Sequence, residues 1–158
     1  MFNLLGNRVV GARVLDLFSG TGALGIEALS RGAAHVTFVD RSFFCIRAIE
    51  ANLESLRVEP AAFTLLRSEA LTALRHLGRG GEASFDLVLV DPPYGRELAR
   101  KSLIACTQYA IVAESGLLVA EHEKRDTLPA RREGKEGHLV LQRSERYGDT
   151  ALTIYTKQ

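Results

Sequence analysis

The sequence predicts an α/β domain, a doubly wound and mostly parallel sheet of seven strands with helices on both faces and an antiparallel hairpin at its C-terminal end. Three observations lead there. Short apolar runs rich in β-branched residues alternate with stretches of helical periodicity as far as Glu121, and that alternation calls for parallel strands joined by right-handed crossovers. The first run ends in a glycine-rich turn, Gly20-Thr21-Gly22-Ala23-Leu24-Gly25, that opens directly into a helix. The last two runs are separated by Gly148-Asp149, a two-residue hairpin spacing. A chain of 158 residues suits one domain, here residues 1–158.

The elements follow in order. Phe2–Leu5 reads as the end of a helix. Val14–Phe18 is the first strand and Ala23–Arg31 the first crossover helix, stopped by Gly32 as a C-terminal cap. His35–Asp40 is the second strand. Ser42 is placed to cap the next helix, where Ile46, Ile49 and Leu53 recur at helical spacing. Phe63–Leu66 is a third strand, and Glu69–Leu77 a short helix closed by the Gly78–Gly81 turn. Phe85–Asp91 is nearly all apolar, as expected of a strand covered on both faces. A helix is expected from about Glu97 to Ala113 and a fifth strand at Leu117–Glu121. Lys124–Gly137 is polar and reads as a loop. His138–Tyr147 and Thr150–Thr156 form the closing hairpin.

Net charge is only +1. Nucleic-acid binders are often strongly basic, because neutralising phosphates releases counterions; any such site here must be a local patch. Cys45 and Cys106 are not in a CxxC pair and read as reduced, buried thiols of a cytoplasmic protein. No apolar run approaches the ~18 residues of a membrane span, and no secretory signal is evident at the N-terminus. His35, His76, His122 and His138 are scattered without metal-ligand spacing, so no metal is expected.

The glycine turn fits GxGxxG after a strand. Without Cβ atoms it can tighten, and a ligand can approach its backbone closely. Asp40 ends the second strand about twenty residues further on, where a carboxylate can accept hydrogen bonds from ribose hydroxyls. Together these features point to an adenosine-containing cofactor and leave a dinucleotide and S-adenosyl-L-methionine both open. Asp16, near the end of the first strand, is a candidate for orienting the glycine loop and the cofactor's amino group.

Asp91-Pro92-Pro93-Tyr94 discriminates between them. It sits at the carboxyl end of the fourth strand, where ligands gather in open α/β sheets. An exocyclic base amine is a poor nucleophile, since its lone pair is delocalised into the ring. A carboxylate and a backbone carbonyl that accept its two N–H groups can hold the nitrogen and aim the lone pair at a sulfonium methyl. The prolines pre-place these acceptors, and Tyr94 can stack on a flipped base.

In these residues the sequence resembles the class I methyltransferases with an amino-methylating Asn/Asp-Pro-Pro-Tyr/Phe motif. More closely it resembles the bacterial 16S ribosomal RNA guanine-N2 methyltransferase family known as RsmD. The resemblance is carried by the run from Leu15-Asp16-Leu17-Phe18-Ser19-Gly20 through Gly25-Ile26-Glu27-Ala28-Leu29-Ser30-Arg31-Gly32-Ala33, by Val39-Asp40-Arg41, by Asp91-Pro92-Pro93-Tyr94, and by Tyr147-Gly148-Asp149-Thr150-Ala151-Leu152. It covers essentially the whole chain.

The resemblance implies a Rossmann-like class I methyltransferase fold with S-adenosyl-L-methionine as cofactor. Asp16, Gly20 and Gly22 would hold its methionine part, Asp40 its ribose, and Glu69 would face adenine, with Phe18, Ser19, Arg41 and Ala70 also binding the cofactor; an Asp or Asn is more usual at Glu69. Asp91, Pro92, Pro93 and Tyr94 would carry the target amine and its base, with Asp91 also against the cofactor. The implied partner is 16S rRNA in the small ribosomal subunit. The family normally starts with a basic β-hairpin and a helix, of which only Phe2-Asn3-Leu4-Leu5 is matched.

Arg96 and Arg100, with Lys101, follow the motif and are candidates for phosphates beside the flipped nucleotide. The basic residues of 124–137 are matched by nearly as many acids, which favours an ordinary charged loop. Competing readings are an adenine-N6 or cytosine-N4 DNA methyltransferase, disfavoured by the lack of a target-recognition domain, and a glutamine-N5 protein methyltransferase, whose motif starts with Asn. Others are a NAD-binding oxidoreductase and a non-catalytic cofactor-binding remnant.

Overall fold

The computed structural model describes residues 1–80, 84–95 and 97–158. The strands are β1 (Arg13–Asp16), β2 (His35–Asp40), β3 (Phe63–Arg67), β4 (Phe85–Val90), β5 (Val112–Glu123), β6 (Arg131–Gly134), β7 (Gly137–Tyr147) and β8 (Thr150–Lys157). The helices are α1 (Phe2–Leu5), α2 (Ala23–Ser30), α3 (Phe43–Ser55), α4 (Ala70–Arg79) and α5 (Leu98–Gln108). They build one sheet in the order β3-β2-β1-β4-β5-β8-β7-β6. The first five strands pair in parallel, and β8, β7 and β6 add on antiparallel.

Side chains alternate across the strands, so each strand feeds two cores. Val14, Phe38, Leu87 and Val119 pack with α1, α2 and α3 through Leu5, Ala28, Ile49 and Leu53. Leu15, Val39, Val88 and Leu118 pack with α4 and α5 through Leu74, Leu103 and Cys106 on the other face. Two caps match their residues. Ser42 Oγ accepts the Cys45 amide at 3.3 Å at the start of α3. Gly32, at φ +93°, ends α2 in a Schellman pattern, with Gly32 N–H donating to Leu29 and Ala33 N–H to Ala28.

The sheet has eight strands where the sequence predicts seven. The extra one, β6, lies in the charged stretch expected to be a loop and pairs with β7 from Arg131↔Val140 to Gly134↔Gly137. As the edge strand, β6 is charged and exposed on both faces, so it lacks the apolar alternation that signals a strand. α5 is shorter than predicted and β5 longer. Ala110 takes a left-handed conformation at φ +51° just after the helix, and Ile111 N–H closes on the Cys106 carbonyl. β5 then starts at Val112 and carries an irregularity around Ser115 and Gly116, where its register to β4 shifts. Cys106 is buried as expected, whereas Cys45 is only half-buried.

Gly25 lies on α2 against the Phe38 ring, and a Cβ there would overlap ring carbons. Gly25→Ala is therefore expected to lower the unfolding free energy by about 1–3 kcal/mol, as overpacking a tight core does. Urea unfolding measures this directly; a change below about 0.5 kcal/mol would show that the helix can lift off β2 at little cost.

Candidate active site

The strand order reverses between β1 and β4, the place in an open α/β sheet where a crevice forms beyond the strand tips. Registration decides which residues meet there. Asp16 ends β1 opposite Leu89 of β4, so Asp91 emerges just past it on the neighbouring strand. Val90 pairs with Ala120, which brings Glu121 of β5 beside Asp91. On the other side Asp40 ends β2 opposite Arg67, and Ser68 and Glu69 follow from β3. Carboxylates thus stand on adjacent strand tips, contributed by residues far apart in sequence.

The glycine turn is held by Ser19. Its amide donates to the Val39 carbonyl at 2.9 Å. Its hydroxyl donates to the Asp16 carbonyl at 2.8 Å and accepts the Val39 amide at 3.0 Å. Gly20 and Gly22 then take φ +56° and +90°, which favours glycine. Gly20 N–H points at Asp40, donating to Oδ2 at 2.9 Å, while Ser42 N–H donates to Oδ1 at 2.8 Å. Two backbone donors fix the Asp40 carboxylate and leave each oxygen a further lone pair.

Asp16 is buried. Its Oδ2 accepts the Gly25 amide at 3.0 Å, and its Oδ1 has no partner among the described residues. Burial pushes its carboxyl from the ordinary 3.8 up to about 7, helped by repulsion from Asp91 and Asp40 and opposed by the Gly25 amide. Asp91 is half-buried and is pushed to about 6, by burial first and then by Glu121. A buried carboxylate with no cationic partner among the described residues favours an ammonium group nearby, and Asp40 fits a diol; the residues present therefore suit the amino and ribose groups of S-adenosyl-L-methionine.

A cleft of about 530 Å³ runs over these tips. Of the residues predicted from sequence it is lined by Phe18, Gly20, Asp40, Arg41, Glu69, Ala70, Asp91 and Pro93. Asp16, Ser19 and Pro92 are buried, and Gly22 shapes the turn as the N-cap of α2. Arg41 and Glu69 form an exposed ion pair of 3.6 Å at this cleft, a contact that solvent leaves weak. Tyr94 is 56% exposed and its hydroxyl meets Thr150. Arg100 lies elsewhere, in a smaller cleft with Arg125. Arg96 lies outside the described residues.

Sequence reasoning missed Leu17, Ser68, Leu71, Thr72 and Leu98, which also line this cleft. Their types are unremarkable; the turn from β3 into α4 brings in Ser68, Leu71 and Thr72, the end of β1 brings in Leu17, and the start of α5 brings in Leu98. A second cleft, of about 600 Å³, runs beside β3 and α4 but has no carboxylate among its lining residues.

The model of the family described as "Conserved hypothetical protein 95" matches residues 1–156. The "Putative rRNA methyltransferase YlbH" of Bacillus subtilis (strain 168) is 40% identical over 158 residues, covering all of this chain and 83% of the relative. The "Ribosomal RNA small subunit methyltransferase D" of Escherichia coli (strain K12) is 30% identical over 158 residues, covering all of this chain and 75% of the relative. Among solved structures, a "conserved hypothetical protein" of Streptococcus pyogenes has a TM-score of 0.84 at 34% identity, covering 99% of this chain and 92% of the other. "Putative methyltransferase yhhF from Escherichia coli" also has a TM-score of 0.84, at 29% identity, covering 99% and 81%.

The raised carboxyl of Asp16 has a signed consequence. A folded-state value above the unfolded 3.8 means that folding favours the protonated form. That contribution is full below about pH 4 and is lost as pH rises through about 7. Over this window wild-type protein should lose on the order of 4 kcal/mol relative to Asp16→Asn, taking 1.36 kcal/mol per pH unit. Urea unfolding of both proteins between pH 4 and 7.5 measures it, and parallel curves would mean that Asp16 ionises normally.

Proposed function

The chain belongs to the family described as "Conserved hypothetical protein 95", which it shares with the ribosomal RNA small subunit methyltransferase D relatives, and on that premise we propose that it methylates ribosomal RNA. The methyl donor is S-adenosyl-L-methionine, and the finer target is the exocyclic N2 amine of a guanine in 16S rRNA. The observation that carries this reading is that Asp91 and Pro93 line the same cleft as Gly20, Asp40 and Glu69. An amine-binding corner and a nucleoside-binding floor then share one cavity.

When bound, the sulfonium cofactor supplies an electrophilic methyl group. The chain's own residues do the rest. Asp40, braced by Gly20 and Ser42, accepts the ribose hydroxyls. Asp16, buried outside the cleft lining with Oδ1 unpartnered among the described residues, supplies a negative charge that favours the ammonium group, and that group's charge in turn favours the ionised carboxylate. Asp91 accepts an N–H of the target amine and is largely ionised at neutral pH, since its pKa is about 6. Its carboxylate draws the amine lone pair out of ring conjugation and takes up the displaced proton on an oxygen atom. Pro92 and Pro93 fix the backbone on which that oxygen is presented. Guanine is favoured over other base amines by the match of Leu15–Ala33 and Tyr147–Leu152 to the guanine-N2 family.

The test is labelled methyl transfer to small ribosomal subunits that lack the mark. Wild-type protein is expected to label guanine N2. Asp91→Ala is expected to lower the rate at least about a hundredfold while S-adenosylhomocysteine affinity stays within a few-fold. Label on another base would move the target, and tight binding of NAD in place of S-adenosylhomocysteine would overturn the reading.

A further inference from the structure

The hydroxyls of Tyr94 and Thr150 lie 2.8 Å apart, joining the corner after β4 to a position 56 residues away at the start of β8. Tyr94 needs such a partner. It is 56% exposed and no other side-chain hydrogen bond is seen for it among the described residues. Pro92 and Pro93 restrain the backbone before it, but Gly95 and Glu97 follow in left-handed conformations at φ +83° and +50°. The backbone can hold the Cα of Tyr94; it cannot hold the ring.

Thr150 can. It is half-buried and paired on both sides, with Glu123 of β5 and Tyr147 of β7. The tip of the β7–β8 hairpin is itself tied down by Lys124, whose amide donates to the Asp149 carbonyl at 2.9 Å and whose Nζ lies 3.3 Å from Asp149 Oδ1. The Thr150 side chain is β-branched and stiff at χ1. Its hydroxyl is therefore a fixed point, and 2.8 Å is an ordinary O–H···O distance.

We infer that Thr150 is a positioning residue for methyl transfer: through this hydrogen bond the β7–β8 hairpin fixes the Tyr94 ring as a wall against which a flipped nucleobase stacks beside Asp91. The inference rests on the reading of this site as a base-amine methyltransferase. It gives the antiparallel hairpin a part in the chemistry that lies beyond completing the sheet.

The experiment is a double-mutant cycle on transfer to unmarked small subunits. Thr150→Val and Tyr94→Phe should each lower kcat about fivefold, the worth of one hydrogen bond, with KM for subunits within about twofold. Thr150→Ser, which restores the hydroxyl, should recover at least half of the loss. The double variant should be no worse than either single one, because both remove the same bond. S-adenosylhomocysteine affinity should stay at the wild-type value and melting temperature should fall by no more than about 4 °C, whereas a general structural defect would lower both. In protein carrying 3-fluorotyrosine, the fluorine resonance lost in Tyr94→Phe should shift in Thr150→Val and return in Thr150→Ser. An active wild type with an unaffected Thr150→Val, additive losses in the double variant, or an unmoved resonance overturns the inference alone. A wild type that methylates no subunit overturns the functional reading and this inference with it.

Discussion

Everything at the crevice depends on a concentration of negative charge that the fold does not neutralise. Asp16, Asp40, Asp91 and Glu121 end up on neighbouring strand tips because the sheet pairs β2, β1, β4 and β5 in parallel and in register. No basic side chain is seen paired with Asp16 or Asp91 among the described residues, and burial raises both above the ordinary carboxylate range. Such an arrangement costs folding energy. It makes sense where the compensating positive charge arrives with a ligand, and a cofactor with a sulfonium and an ammonium group carries that charge.

The cost is borne by backbone geometry rather than by ion pairs. Ser19 ties the ends of β1 and β2 together with three hydrogen bonds, and the Gly25 amide meets one oxygen of Asp16. Gly25 does this only because it lacks a side chain, since the Phe38 ring occupies the place of a Cβ. The same packing that seats α2 on β2 thus brings the helix close enough for its amide to reach the carboxylate. Core packing and site electrostatics are not separable at this point.

Much of this was legible from the chain. The parallel half announces itself through its apolar runs, because strands covered on both faces must be apolar throughout. Asp40 and Asp91 were recognisable because each terminates such a run, and Asp16 because it lies two residues before the end of one; a strand's end marks the crevice whatever the neighbouring order. The antiparallel half was less readable. β6 is an exposed edge strand of charged residues, and its pairing depends on β7 rather than on its own composition. The end of α5 was missed because Ala110 adopts a left-handed conformation that no glycine signals. Ser68, Leu71, Thr72 and Leu98 enter the cleft through tertiary placement alone. Arg100 read as a neighbour of the motif in sequence, yet the helix carries it into a separate cleft beside Arg125.

That division between legible and illegible residues coincides with a division of labour in the sheet. Residues proposed for the cofactor lie at the ends of parallel strands, where position follows from local sequence. Residues proposed for the target lie where the parallel half touches the antiparallel half, and there position follows from pairing across long separations. Asp91 belongs to the first group by its strand and to the second by its neighbour Glu121 on β5, the strand where the two halves join. β5 is hydrogen-bonded to β4 on one side and β8 on the other, so its register sets both the spacing of Asp91 from Glu121 and the height of the hairpin tip above the corner. The irregularity near Ser115 precedes that stretch, and from Leu117 to Glu123 the pairing with β8 runs without a break. A disturbance of β5 register would therefore be felt on both sides of the target at once, whereas the glycine turn and Asp40 would keep their geometry.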